Sequence, residues 1–450
     1  MTRPQPKLGM WVCTALVVGN MIGSGVFLLP ASLGAYGGVS IAGWLFTAAG
    51  ALLLALTFGR LARALPLAGG PYAYTRAGLG DFAGFIVAWG YWLSICAGNA
   101  AIAVALVGYL AFFVPALSSE PLLGAAAALA GVWLCTWTNA RGVREAGAVQ
   151  VVTTVLKLVP LIAIGTVGLL FLHRGTFPAF NLSGHSDLSA FSATAALTLW
   201  AFLGLETATI PAGAVERPEV TIPRATLLGT SAAAAVYILS TVAVMGVIPP
   251  AALKSSTAPF ADAASTMWGP WAAGAVAAGA AISCFGALNG WVLVQGQLPL
   301  AAALDGLLPR LFGRLSGRGT PVAGLVVSSL VVTLVVASNY TKGLVVEFTF
   351  IILLATLATL VPYACSTAAF VVLRLRGRAD PLAARHAGHP AVAVLAFVYS
   401  IWAIVGTGGN TILWGCVLLL SGIPVYLWIT RGDRRQPAPG GGDPTGGRSS

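Results

Sequence analysis

Two ionisable side chains lie where ionisable side chains are rare. Lys157 falls within an apolar run at 147–172 and Glu206 within another at 190–213. Charge surrounded by hydrocarbon is costly, so such residues are functional candidates by default. Either could bind and release a proton, which makes the pair the candidate for proton or pH coupling. The competing reading is a structural ion pair or a helix-end group reaching water, and Glu347, at the start of a later apolar run, is read in that second way. A different chemistry is suggested by Asn20-Met21-Ile22-Gly23-Ser24-Gly25, near the centre of the first apolar run. Each glycine weakens a helix by about 1 kcal/mol relative to alanine, and backbone freed at membrane depth is tolerated only where it lines a cavity. A half-helix starting at Ser24 would turn unpaired N–H groups and a positive dipole end toward that cavity, which suits a carboxylate. A glycine packing notch is the plainer alternative. A similar interruption occurs at Gly204 in Trp200-Ala201-Phe202-Leu203-Gly204-Leu205-Glu206. Among aromatics at comparable depth (Tyr91, Trp200, Phe202, Trp291, Tyr363), Trp200 adjoins this second break and Trp291 follows Asn289-Gly290. A desolvated tryptophan face attracts a guanidinium or ammonium by about 2 kcal/mol; most other aromatics read as interfacial or packing residues.

These groups need elements that can hold them within a bilayer. Of 450 residues, 58% are hydrophobic and only 8% charged, against roughly 25% charged in soluble domains. A soluble enzyme is thereby excluded. Apolar runs and their breaks give about twelve helices, centred in 10–32, 39–64, 82–114, 121–139, 147–172, 190–213, 224–248, 270–300, 322–338, 344–374, 390–406 and 410–430. The first is too long and too interrupted for a signal peptide and is read as retained.

The net charge of +11 is distributed by side. With the N-terminus inside, Arg60, Arg63, Arg76, Arg141, Arg144, Arg217, Arg224, Arg310, Arg374 and their neighbours all fall in cytoplasmic loops, leaving Arg174, Lys254 and Lys342 outside. That is the positive-inside pattern, so the basic charge marks topology and not nucleic-acid binding. Both termini are expected in the cytoplasm, with residues 1–9 preceding the first span and a Gly/Pro-rich tail at 431–450 expected to be disordered. The six cysteines each fall in an expected span and read as small packing residues. His386 and His389 have metal-like spacing but no third ligand, so neither a metal nor a cofactor is expected.

The two interrupted spans stand five helices apart and so cross in opposite directions. This is the mark of an inverted repeat with its site at midplane between the breaks: 10–172 as the first repeat, 190–374 as the second, and 390–430 as two additional spans. The chain resembles the amino acid–polyamine–organocation transporter superfamily, most nearly its basic amino acid/polyamine antiporters and the arginine/agmatine exchangers among them. The resemblance runs from Leu8 to Trp428. It is carried by Gly19-Asn20 and Gly23-Ser24-Gly25-Val26-Phe27, Gly69-Gly70-Pro71-Tyr72, Tyr91-Trp92-Leu93, Gly98-Asn99, Trp200 through Glu206, Gly290-Trp291, Gly319-Thr320-Pro321, and Leu360-Val361-Pro362-Tyr363.

The resemblance implies an all-α membrane protein of the leucine-transporter fold, in a bacterial inner membrane, working as a homodimer. It implies that Ser24 and Gly25 hold a substrate carboxylate and that carbonyls of Met21, Trp200 and Leu203 receive its α-amino group. Trp200 becomes the inner gate, with Tyr91, Glu206 and Tyr363 in an outer gating layer. Trp291 stacks on the substrate's distal cation beside Asn99. Where the exchangers have a serine near the guanidinium, this chain has Ala355, and its third-span pocket positions are Ser94, Ile95 and Ile102. Lys157 resembles a lysine of proton-coupled, sodium-independent relatives whose ammonium takes the place of a sodium ion. The resemblance therefore implies sodium-independent exchange of a cationic amino acid for a related amine. Proton-coupled uptake of neutral or varied amino acids is the alternative, and a nutrient sensor or channel on the same scaffold a more distant one.

Overall fold

The structure, a computed structural model, describes residues 7–23, 25–27, 29–172, 175–256, 258–341, 345–376 and 390–433, with backbone alone over 339–341 and 345–354. Nine helices among them are long and apolar enough to cross a membrane. A bent pair at the start of the chain makes a tenth span, and two shorter apolar helices complete the twelve expected runs. We number the spans α1 (Met10–Met21, resumed at Leu29–Gly34), α2 (Val39–Ala64), α3 (Asp81–Leu110), α4 (Pro121–Arg141), α5 (Val143–Thr166) and α6 (Asp187–Leu199). There follow α7 (Pro218–Val247), α8 (Trp271–Leu304), α9 (Val322–Thr341), α10 (Val345–Leu375), α11 (Ala391–Gly406) and α12 (Gly409–Leu420, continued by Ile423–Asp433). Residues 431–433 are thus the last turn of a helix and not the start of a disordered tail. The remaining tail residues, with His386, His389, Arg174, Lys342 and Ser24, lie outside the described residues.

The polarity of the bundle is that of a protein solvated by lipid. On α5, Val152, Val155, Val159 and Ile162 form an exposed apolar stripe, while Gln150, Thr153, Thr154 and Lys157 are buried. Three- and four-residue spacing separates the two faces, and the polar one turns inward because only there can its groups find partners. The second half of α1's first segment, Ala15–Met21, is buried on every side. It packs against α5, α7 and α8, at the centre of the bundle.

α1 and α6 run in opposite directions. Leu8, just before α1, forms an isolated parallel bridge with Val215, just after the α6 region, so the start of one lies beside the end of the other. Leu8 N–H donates to the Ala214 carbonyl at 2.7 Å, and Glu216 N–H to the Leu8 carbonyl at 2.9 Å. The same end of the bundle carries an ion-pair cluster. Arg76, in the connecting helix Pro71–Leu79, meets Asp81 of α3 at 2.7 Å and Asp305, at the end of α8, at 2.8 Å. Opposed, broken α1 and α6 spans, with α11 and α12 outside them, constitute the leucine-transporter fold that the resemblance implies.

Candidate functional site

Both breaks form, by different means. α1 stops at Met21, passes through a single 3₁₀ turn at Gly25–Phe27 and resumes as the short helix Leu29–Gly34, bent by 51°. The carbonyls freed there are taken by Lys157, whose Nζ donates to Gly19 at 2.8 Å, Ile22 at 2.7 Å and Ser283 at 3.2 Å. Ser283 Oγ adds a bond to the Ile22 carbonyl at 3.0 Å. Among the described residues Lys157 is therefore no ion-pair member, nor does it sit at a helix end: its ammonium faces two carbonyls of the α1 break and one of α8.

The α6 break is wider than a single interruption at Gly204. The α-helix ends at Leu199, and short 3₁₀ turns at Trp200–Phe202, Thr207–Thr209 and Ala212–Ala214 carry the chain onward. Gly204 has φ +107°, a conformation that glycine adopts without steric penalty. A methyl group there would also lie 3.1 Å from Trp291 Cζ2. The unwound backbone is satisfied locally: Thr207 Oγ1 donates to the Gly204 carbonyl at 2.7 Å, Thr209 Oγ1 to Glu206 at 2.6 Å, and the Tyr237 hydroxyl of α7 to Ala201 at 2.9 Å.

Between the breaks lies a cavity of about 60 Å³, room for roughly four to six water-sized groups. Of the expected site residues, Met21, Gly25, Ser94, Trp200, Leu203, Trp291 and Ala355 line it. Trp200 folds over the α1 break, where a methyl at Gly25 would come 2.5 Å from its Nε1. Trp291 is anchored by its Nε1–H on the Asn20 carbonyl at 3.2 Å. At the far wall, the Ser94 and Thr359 hydroxyls lie 2.8 Å apart and reach the Ala355 carbonyl at 2.6 and 2.9 Å. Two hydroxyl hydrogens cannot serve three contacts, so this group of oxygens keeps lone pairs for a donor.

Other expected residues are elsewhere. Asn99 is fully buried and gives its Nδ2–H to Gln295 at 2.7 Å; its neighbour Gly98 lines the cavity instead. Tyr91, Glu206 and Tyr363 come together behind the cavity, where both tyrosine hydroxyls donate to the Glu206 carboxylate. Gly204 N–H in turn donates to the Tyr363 hydroxyl at 3.1 Å. Asn20 and Thr359 line the cavity but were not expected binders. For Asn20 a signal existed, an amide beside a glycine-interrupted segment; for Thr359, in an apolar run, none did.

Known proteins are similar to this chain over most of its length. Residues 8–430 match the amino acid permease family. The cadaverine/lysine antiporter of Escherichia coli K12 is 36% identical over 363 residues, covering 79% of this chain and 81% of that protein. The putrescine transporter PotE of the same strain is 31% identical over 421 residues, covering 93% and 95%. PotE of Haemophilus influenzae is 31% identical over 431 residues, covering 96% and 98%.

Proposed function

This chain belongs to the amino acid permease family, and on that premise we propose that it exchanges a cationic amino acid for its related amine, without sodium, by alternating access. That it is a multi-pass membrane transporter of amino acids or polyamines, and not an enzyme, follows from the family and from the antiporter and transporter relatives named above. The substrate pair we favour is lysine and cadaverine over arginine and agmatine. The observation that carries this choice is the cavity's far wall. Ser94, Thr359 and the Ala355 carbonyl make a compact, lone-pair-rich group, which suits the three divergent donors of an ammonium. Asn99, the expected neighbour of a planar guanidinium, is turned away to Gln295.

In this reading the segment at Gly23–Gly25, with Ser24, holds the carboxylate, and carbonyls of Met21, Trp200 and Leu203 hold the α-ammonium. Trp291 offers its face to the aliphatic stem and distal cation, and Trp200 closes over the α1 break. Glu206, Tyr91 and Tyr363 form the outer gating layer. Lys157 supplies from the chain itself the cation that the α1 break needs, which removes the requirement for sodium. The arginine-rich end faces the cytoplasm, as the positive-inside rule requires.

The test is transport in proteoliposomes free of sodium. Vesicles loaded with cadaverine should take up labelled lysine at least tenfold faster than empty vesicles, and arginine more slowly. Concentrative uptake into empty vesicles under an inward proton gradient would overturn obligatory exchange. It would support the second reading, a proton-coupled permease, which the burial of Lys157 at the α1 break favours.

A further inference from the structure

Four amides lie in a row between α1, α4, α5 and α8: Asn20, Gln150, Asn289 and Asn139, each no more than 4% exposed. A buried amide is costly unless its hydrogen bonds are made. Three of the four N–H₂ groups are occupied. Gln150 Nε2 donates to the Ala15 carbonyl at 3.3 Å, Asn289 Nδ2 to Ala146 at 2.9 Å, and Asn139 Nδ2 to Cys135 at 2.9 Å and Asn289 at 3.2 Å. The oxygens are another matter. Asn20 Oδ1 and Asn139 Oδ1 have no partner. Gln150 Oε1 receives a long contact from Asn289 at 3.4 Å, and Asn289 Oδ1 one from Asn139 at 3.2 Å. An amide oxygen accepts two hydrogen bonds, so the row is rich in idle acceptors.

The row connects two spaces. Asn20 and Trp291 line the central cavity. Gln150, Asn289 and Gly290 line a second one of about 10 Å³, whose other wall is Leu8, just before α1, with Val12 and Ala146 from the first turns of α1 and α5 at the arginine-rich end. A methyl group at Gly290 would overlap Asn20 Oδ1 and come within 2.9 Å of Gln150 Oε1. Glycine at this position lets the amides of α1 and α5 face each other where the two spaces approach.

We infer that Asn20, Gln150 and Asn289 form a second, transit binding station, which receives the leading ammonium of a diamine or of lysine as it passes between the central cavity and the arginine-rich end. The inference rests on the amine exchange proposed above. An ammonium fits because it brings three donors and no acceptor to a row whose idle groups are mostly oxygens; a carboxylate would find Asn20 Nδ2, the one amide donor group there without a partner, and otherwise meet oxygen with oxygen. No carboxylate side chain lines either cavity among the described residues. Neutral oxygens hold the ammonium weakly, as a station that must also release it requires.

Gln150→Leu removes the oxygen at similar volume, and Gln150→Glu replaces the amide with an isosteric carboxylate. Two measurements separate the roles: equilibrium binding of labelled lysine to purified protein, and cadaverine–cadaverine exchange in proteoliposomes. Gln150→Leu should bind lysine within twofold of wild type but exchange cadaverine at least fivefold more slowly. Gln150→Glu should lower both KM and maximal rate for cadaverine, because a charged station holds its ligand. Wild-type exchange rates in Gln150→Leu would overturn the station while leaving the exchange reading intact. Loss of lysine binding in step with exchange, in both variants, would also overturn it and make Gln150 a support of the central cavity. A wild-type protein that binds neither amine would overturn the exchange reading first, and the station with it.

Discussion

Glu206 is buried completely and accepts hydrogen bonds from Tyr91 of α3 and Tyr363 of α10. One carboxylate thus clamps two spans to the unwound stretch of α6, and its acceptor-only character makes that possible. Protonation would turn one of its oxygens into a donor facing a hydroxyl, and the clamp would loosen on one side. Glu206→Gln mimics that state permanently, since its carbonyl still accepts one tyrosine while its N–H₂ opposes the other. The variant should therefore exchange substrate with a pH profile at least threefold flatter than wild type between pH 5 and 8. A profile parallel to wild type would move pH sensing to another group. Trp291 belongs to the same scale of argument. Its ring is fixed by the Asn20 carbonyl on one side and by the Cβ-less Gly204 on the other, so its position depends on backbone at both breaks.

At the scale of elements, the broken α1 depends on a side chain from α5. Three carbonyls converge on the Lys157 ammonium, and bonds to a charged donor contribute about 1.5–3 kcal/mol each. Lys157→Met keeps the stem and removes the donor, so the Gly19 carbonyl would lose its side-chain partner and the Ile22 carbonyl would keep only Ser283 Oγ. It should lower the thermal midpoint of the purified protein by several degrees and cut exchange at least tenfold. A midpoint and rate equal to wild type would show that the break holds itself. The element level is also where the sequence was most legible. Lipid demands about twenty apolar residues per crossing, so the spans stood out to within a few residues, and the Gly23/Gly25 pair and Gly204 exposed the two breaks. The extent of the α6 break was not legible. Thr207 and Thr209 satisfy its carbonyls through their own hydroxyls, an arrangement without periodicity. The placement of Asn99 was likewise hidden. Its spacing from Ile95 and Ile102 suits the cavity face, and only Gln295 of α8, nearly 200 positions away in sequence, draws its amide elsewhere.

Across the whole molecule, ties at the arginine-rich end include Leu8 to the 214–216 segment, and Arg76 to Asp81 and Asp305. The Arg76 cluster is partly exposed, and such pairs contribute only about 0–1 kcal/mol to stability. It does, however, join the α2–α3 connection to the end of α8, which any opening at this end must separate. Arg76→Gln should thus leave the thermal midpoint nearly unchanged while altering half-saturation at least threefold from the arginine-rich side only. Equal change from both sides would assign Arg76 to folding alone. The Lys157 bonds carry a consequence of another kind, for the order in which the protein is built. α1 is synthesised before α5 and α8, yet the ammonium that quiets its broken backbone arrives more than 130 positions later, and Ser283 more than 260 positions later. Until α5 and then α8 have been inserted, α1 sits in the bilayer with bare carbonyls, a client for whatever assists membrane insertion. A helix can thus enter the membrane well before the side chains that complete it.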